Sequence, residues 1–357
     1  MTFEAEDVVD RLQTTDFRAW YRERERRQNA RAGSFSRNSP SPPPDPAVHR
    51  PHTLLTCHRK QRYREENAPG EEPKPAGLFW IGSQIEEELV LEYLSSLAPT
   101  DVYVGNSMWV DTAVETKGRD LRLRGVTDPV FATGDGTPLL PVEVKTKRSI
   151  ADVEEPEPHH RAQLHAYLYG LSATRDVDLE RGLLLYVGRD DFSTRTFDVP
   201  FDEGFWRDRI LPWLLAQTRY RRETGLPPAD PKRDWECDVC EFRRRCGRTD
   251  DPVDDAGFEA FVPGHRYPRG RVEAALAADE DRQLTPILAE AYPDLAADSP
   301  VGPWRCEACG AIVRFDAVEW EGGELPRCER CAHAGRFARL RGRIPSAVPV
   351  VERGDAE

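Results

Sequence analysis

The chain has 357 residues, 39% of them hydrophobic and 32% charged, with 50 Lys plus Arg against 63 Asp plus Glu and a formal net charge of −13. That length holds one sizeable core and one or two small modules. No apolar run approaches the roughly 20 residues that a bilayer-spanning helix needs, and Met1–Asp10 is too acidic and polar for a secretory leader; the expected location is the cytoplasm, with no membrane partner.

Taken along the chain, Val8 to Arg31 has an amphipathic, Arg-rich helical pattern. Ser34 to Pro51 is rich in Ser and Pro and reads as an extended linker or an extended entry into the core, and Asn67 to Pro75 as a loop. An α/β body is expected from about residue 77 to 224. Leu78 to Leu97 predicts a helix with Ile85, Leu89 and Leu94 on its apolar face. Asp101 to Val110 and Leu121 to Phe131 predict strands, and Asp135-Gly136 a hairpin turn. Leu139 to Lys145 is an apolar strand ending in charge. A helix over His159 to Leu171, strands over Arg181 to Val187 and Ser193 to Val199, and a helix over Phe205 to Arg222 complete the body. Residues 271 to 292 hold two short helical patterns. No Walker A pattern is present, so no ATP-driven motor is expected.

Chemistry concentrates at Gly125-Val126-Thr127-Asp128-Pro129 and at Val142-Glu143-Val144-Lys145, with the hairpin between them. Strand alternation puts Glu143 and Lys145 on one face and Val142 and Val144 on the other, buried one. A hairpin brings Asp128 beside Glu143. Two carboxylates from neighbouring strands make a hard, oxygen-rich site for Mg²⁺ or Mn²⁺. Phosphodiester cleavage needs an activated water and neutralised phosphate oxygens, which a divalent ion supplies. Lys145 adds a compact cation of tunable pKa; only six Lys occur among the 50 basic residues. An E-x-K on an exposed strand is commonly a solvated ion pair, and the upstream Asp and the hairpin are what set this one apart. Gln163 and Tyr167 lie one helical turn apart and can reach the same cleft. Glu86 on the preceding helix is a further candidate carboxylate, although Glu86, Glu87 and Glu88 form a run of the kind that usually faces solvent. A net negative charge repels DNA at long range, so such a site has to be locally basic or metal-neutralised.

Eight cysteines occur without a secretory signal, which favours metal ligation over disulfides. Cys237-x2-Cys240-x5-Cys246 offers three thiolates. Cys57 is the cysteine without a near neighbour and would complete a four-Cys site if the ends of the α/β body meet. Otherwise Cys57 is a buried thiol and His58 or His265 fills a zinc site. Four thiolates suit zinc or an iron–sulfur cluster, and spacing does not choose. Cys306-x2-Cys309 and Cys328-x2-Cys331 have zinc-ribbon spacing and predict a structural Zn²⁺. The basic stretch Arg336 to Arg343 makes DNA contact through the ribbon plausible.

The order lone Cys, helix, G-x-x-D, E-x-K, Q-x-x-x-Y and C-x2-C-x5-C resembles the RecB-like PD-(D/E)xK nucleases with an iron–sulfur staple, above all the CRISPR-associated RecB-type exonuclease family (Cas four). The resemblance covers roughly residues 50 to 247. It implies a restriction-endonuclease-like core, a mixed central sheet flanked by helices. It also implies a 4Fe–4S cluster on Cys57, Cys237, Cys240 and Cys246, and Mg²⁺ or Mn²⁺ on Asp128, Glu143 and the Val144 carbonyl. The implied activity is exonucleolytic cleavage of single-stranded DNA ends in spacer acquisition or repair, with CRISPR adaptation or repair proteins as partners. Many relatives carry a His in a G-x-x-[IV]-H context on the first helix; here Gly82-Ser83-Gln84-Ile85 is followed by Glu86. The expected organisation is an N-terminal helix and linker (1–50), the nuclease domain (51–247), a linker with short helices (248–299) and a zinc ribbon (300–345). The competing expectation is a non-catalytic DNA-binding or scaffolding subunit that recruits through the ribbon.

Overall fold

The computed structural model describes residues 45–65, 76–223 apart from Lys117 and Arg119, 226–249 apart from Arg244 and Arg245, 269–278, and 282–341 apart from Glu307 and 321–324, with a few positions between 12 and 24. The helix expected over Val8 to Arg31 falls largely outside these residues. The Ser34 to Pro44 part of the linker, the Asn67 to Pro75 loop, His265, and the Gly342-Arg343 end of the basic stretch fall wholly outside them. The chain divides into two compact units, residues 44–64 with 70–257, and residues 1–43 with 65–69 and 258–357.

The first unit holds eight strands: Val48–His49 (β1), Val102–Gly105 (β2), Trp109–Val114 (β3), Leu121–Val126 (β4), Val130–Thr133 (β5), Pro138–Lys147 (β6), Arg181–Gly188 (β7) and Thr194–Pro200 (β8). Five of them form a sheet in the order β2-β5-β6-β7-β8. Within it β6 and β7 are parallel and the other pairs antiparallel. A parallel pair needs a crossover, and the helix Pro158–Arg175 (α3) supplies it. The remaining strands make a second sheet, β1-β4-β3, in which β1 runs parallel to β4. Among the described residues the unit also holds short 3₁₀ turns at Pro51–Thr53 and Asp234–Glu236 and three longer helical stretches: His58–Glu65 (α1); Ala76–Gln84, a π turn over Ile85–Val90 and Leu91–Leu97, which run on as α2; and Glu203–Phe205, a π turn over Trp206–Ile210 and Leu211–Arg222, which run on as α4.

The central strands are apolar on both faces because both faces are covered. Leu184 and Tyr186 of β7 pack with Leu164, Leu168 and Leu171 of α3. The alternate residues Leu185 and Val187 pack with Val142 and Val144 of β6 and with Ile85, Val90 and Leu94 of α2. Strand alternation therefore turns Glu143 and Lys145 towards the α3 face. Gly170 permits α3 to close on β3, since a Cβ there would lie 2.2 Å from Val110 Cγ1.

Three expectations need correction. Leu121 to Phe131 is not one strand; the chain breaks at Thr127-Asp128-Pro129, and β4 and β5 enter different sheets. Pro129 has no N–H to continue a ladder, and Thr127 turns to Met108 instead, with N–H···O at 3.0 Å in one direction and an Oγ1 acceptor at 2.9 Å in the other. Asp101 to Val110 splits likewise into β2 and β3. In α2 the π turn inserts one residue, so Val90 rather than Leu89 joins Ile85 and Leu94; Leu89 is 48% exposed.

The second unit contains Arg269–Ala278 (α5), Pro286–Ala291 (α6), Pro293–Asp298 (α7), the hairpin Trp304–Arg305 (β9) with Ile312–Val313 (β10), and Glu329–His333 (α8). Val272, Leu284, Leu288 and Ala289 form one apolar cluster, and Ile287 joins Trp304, Cys306, Cys328, Cys331, Ala338 and Leu340 in another. No helix among the described residues is long and apolar enough to cross a membrane.

Candidate active site and its cysteine staple

Glu143 sits in the middle of β6, opposite Leu184 of β7, and is 1% exposed. Lys145 Nζ donates to Glu143 Oε1, while Glu143 Oε2 is buried without a hydrogen-bond partner. Asp128 occupies the turn where β4 and β5 part. Its Oδ2 accepts the Val144 N–H at 2.9 Å, one step beyond the bond from Val142 N–H to Pro129 O at 2.8 Å. The carboxylate thus takes over the ladder where the neighbouring strand has turned away, and that pins it beside Glu143. Burial pushes the Glu143 carboxyl well above its ordinary range, Lys145 pulls it back, and the Asp128 charge pushes it up again. Burial would lower the Lys145 ammonium, but Glu143, Asp128 and Glu86 outweigh it and hold its pKa up.

From α3, Tyr167 OH donates to the Val126 carbonyl at 2.7 Å, and Gln163 hydrogen-bonds the same phenol. Both side chains are buried. Burial, then Glu143 and Asp128, keep the phenol protonated. Glu86 is half-buried and its charge reaches both Lys145 and Tyr167, whereas Glu87 and Glu88 are exposed. The six candidates from the three motifs and the first helix therefore converge on one place.

A divalent cation fits there. The Asp128 carboxylate in the turn is held beside Glu143 of β6, and one Glu143 oxygen is buried without a hydrogen-bond partner. An unsatisfied buried acceptor is costly unless something binds it, and carboxylate oxygens suit a hard divalent cation.

Cys57, Cys237, Cys240 and Cys246 line one cavity together with Lys60, Tyr63, Glu236 and Phe242. The ends of the α/β body do meet. His58 is engaged elsewhere: its Nδ1 meets Gln217 Oε1 at 2.8 Å and its ring stacks on Trp213 at 5.0 Å. The meeting is organised by Glu236, which is 1% exposed. It accepts the Cys57 N–H at 3.0 Å and the Lys232 N–H at 2.8 Å, and lies 3.9 Å from Lys60 Nζ and 3.4 Å from Arg233 Nη2. Arg59 Nη1 reaches Cys246 Sγ at 3.8 Å.

In the second unit the four remaining thiols converge, with Cys306 and Cys331 Sγ 3.7 Å apart and Cys309 and Cys328 Sγ also 3.7 Å apart. A tetrahedral zinc with bonds of about 2.3 Å places thiolates roughly 3.8 Å apart, so this quartet fits Zn²⁺. Gly310 holds the knuckle turn at φ +67. The two ribbon strands are short, and a 3₁₀ turn begins at Phe315. Among the described residues, the groups of three or more donors drawn within 4.8 Å of one another are this quartet and Glu157 with His159 and His160.

Sequence reasoning missed four contributors. Lys147 continues the Glu143-x-Lys145 alternation and ion-pairs with Glu157; its period-2 spacing was a usable signal. His159 and His160 open α3 just ahead of Gln163, and only the fold shows that they border the site. Glu236 was hidden in a polar run beside Cys237.

Residues 32–247 match the family model of the PD-(D/E)XK nuclease superfamily. Over 199 residues the chain is 26% identical to the CRISPR-associated exonuclease Cas4 of Saccharolobus solfataricus, an alignment spanning 54% of this chain and 84% of that protein. The solved structure of SSO0001 superposes with a TM-score of 0.38 and 21% identity, covering 60% of this chain and 88% of that one. The split between β4 and β5, the E-x-K strand beside it and the crossover helix behind both lie within the matched span, and by that match this chain belongs to the PD-(D/E)XK nuclease superfamily.

Proposed function

We propose that the chain is a metal-dependent exonuclease acting on single-stranded DNA ends, in CRISPR spacer acquisition or in repair. The observation that carries this reading is the buried Glu143 carboxylate, half satisfied by Lys145 and faced by Asp128. Asp128, Glu143 and the Val144 carbonyl are the ligands assigned to Mg²⁺ or Mn²⁺, with Glu86 as a candidate further carboxylate, directly or through water. When bound, the ion supplies an acidified water and neutralises charge on the phosphate. Lys145 keeps its proton through the physiological range and stands ready to orient that water or to bind a phosphate oxygen. Tyr167 holds the Val126 carbonyl, and with it the turn that carries Asp128, while Gln163 engages the Tyr167 phenol. The name of the Saccharolobus relative supports the exonuclease and CRISPR elements of the proposal.

A 4Fe–4S cluster is proposed for Cys57, Cys237, Cys240 and Cys246. Its support is that, among the described residues, these thiols ring a cavity instead of converging within 4.8 Å as the ribbon thiols do. A structural Zn²⁺ is proposed for the ribbon.

The test is cleavage of end-labelled single-stranded DNA by anaerobically purified protein with Mn²⁺, Mg²⁺ or EDTA, alongside Lys145→Ala. Metal-dependent laddering that falls by about 10²–10³-fold in the variant is expected. Wild-type cleavage by Lys145→Ala would remove the assignment. No cleavage by metal-loaded parent protein would leave a DNA-binding scaffold.

A further inference from the structure

The 3₁₀ turn Asp234–Glu236 leads directly into Cys237 of the cysteine staple. Glu236 anchors it inward, and Trp235 is left 46% exposed although it is one of the largest apolar side chains in the unit. Trp235 is nonetheless held in place. The Arg233 guanidinium lies 4.6 Å from its ring centroid, and the His159 ring meets it edge-on at 6.4 Å. Arg233 itself is incompletely paired, since its Nε and Nη1 are buried without hydrogen-bond partners.

The surroundings are cationic. Lys147 lies on the same strand face as Lys145, roughly 7 Å further along by strand geometry. Burial is the first cause that lowers the His159 pKa, to about 3, and Arg233, Lys145, Lys147 and Lys60 lower it further, so the ring is neutral at working pH. Glu157, His159 and His160 have metal-ligand spacing. However, Glu157 is already paired with Lys147, and four nearby cations would repel a second divalent ion. A cluster of cations, of which Lys147 is paired with Glu157 and Arg233 in part with Glu236, beside an exposed, immobilised indole instead suits a nucleotide: a phosphate for the cations and a base face for the ring.

We infer that Trp235, Arg233 and Lys147 form a nucleotide subsite that holds a single DNA strand next to the cutting site, with one base stacked on Trp235 and its phosphate between Arg233 and Lys147. The inference rests on the nuclease reading of the Asp128–Glu143–Lys145 site. Stacking on one indole requires an unpaired base, so the subsite selects single strands over duplex. It also gives the staple a role in substrate binding, because the segment that ties the chain ends together carries the stacking ring.

The experiment measures binding of a fluorescein-labelled oligothymidylate to the full chain, by anisotropy, with Ca²⁺ substituted to stop turnover. Trp235→Ala is expected to weaken binding about tenfold or more, Trp235→Phe to stay within about threefold of the parent, and duplex binding to change little. Arg233→Gln is expected to lower the salt dependence of binding by about one counterion. Replacing single thymidines by abasic units should weaken the parent at one position and leave Trp235→Ala indifferent there. A general structural defect would not produce that pattern. Unchanged single-strand affinity in Trp235→Ala, or an abasic penalty that persists in it, overturns the subsite. If the parent cleaves and Trp235→Ala binds normally, the nuclease reading stands and the subsite falls. If binding follows Trp235 as expected but metal-loaded parent never cuts, the subsite stands and the catalytic reading falls. If the parent neither binds nor cuts, both fall.

Discussion

Glu143 has one oxygen on Lys145 and the other buried without a donor. A buried acceptor in that state costs on the order of 1–3 kcal/mol, so the metal-free protein carries strain at its centre that a cation relieves. Ligands that bind only the native state stabilise it by mass action. Millimolar Mn²⁺ should therefore raise the melting temperature of the parent and leave that of Asp128→Ala nearly unmoved, as read by differential scanning fluorimetry. An equal rise in both would place the stabilising ion elsewhere. Asp128 has a second duty, because its Oδ2 completes the backbone pairing of Val144. Asp128→Asn keeps an acceptor there and separates that duty from metal binding, which Asp128→Ala does not.

The helix α3 works at close quarters. Its Gly170 faces Val110 across a gap with no room for a methyl group, and its Tyr167 reaches the Val126 carbonyl ahead of the turn that carries Asp128. Gly170→Ala should lower stability by about 1–3 kcal/mol through overpacking, measured by urea unfolding. A variant as stable as the parent would show that the helix and β3 yield easily. Much of this element-level structure was legible beforehand. Alternation around Glu143 and Lys145, Asp135-Gly136 as a turn, and the Gln163–Tyr167 spacing all follow from local periodicity. What was not legible had no local signal. Pro129 announces that a strand stops, but which sheet β5 then joins depends on its partners. The π turn of α2 trades Leu89 for Val90, two similar side chains, so nothing in the pattern distinguishes it. Glu236 matters through contacts with residues far away in sequence.

Across the whole molecule, charge and burial set the response to acid. Burial, first among the causes in each case, lowers the pKa of His49 to about 2, His159 to about 3 and His165 to about 4, and also lowers those of His58 and His160. Below pH 6.5 the unfolded chain takes up protons that these folded sites refuse, so stability falls as pH drops from about 6.5 towards 4. Each such histidine contributes at most about 1.4 kcal/mol per pH unit in that window. Glu143, a carboxyl with a raised pKa, acts in the opposite sense, but it is one group against five. The urea midpoint should be clearly lower at pH 5 than at pH 7.5, and an unchanged midpoint would contradict the neutral, buried histidines. The tie made by Glu236 has a different consequence. It joins Cys57 to a residue 179 positions later, and the central sheet with its crossover helix lies wholly between them. During vectorial synthesis that sheet is complete before Glu236 leaves the ribosome, so the tie closes late and contributes little to the rate of folding. Contacts made after the transition state slow unfolding instead. The staple is in that sense a latch on the lifetime of the native state, and its loss would shorten how long the nuclease unit survives while its architecture stays attainable.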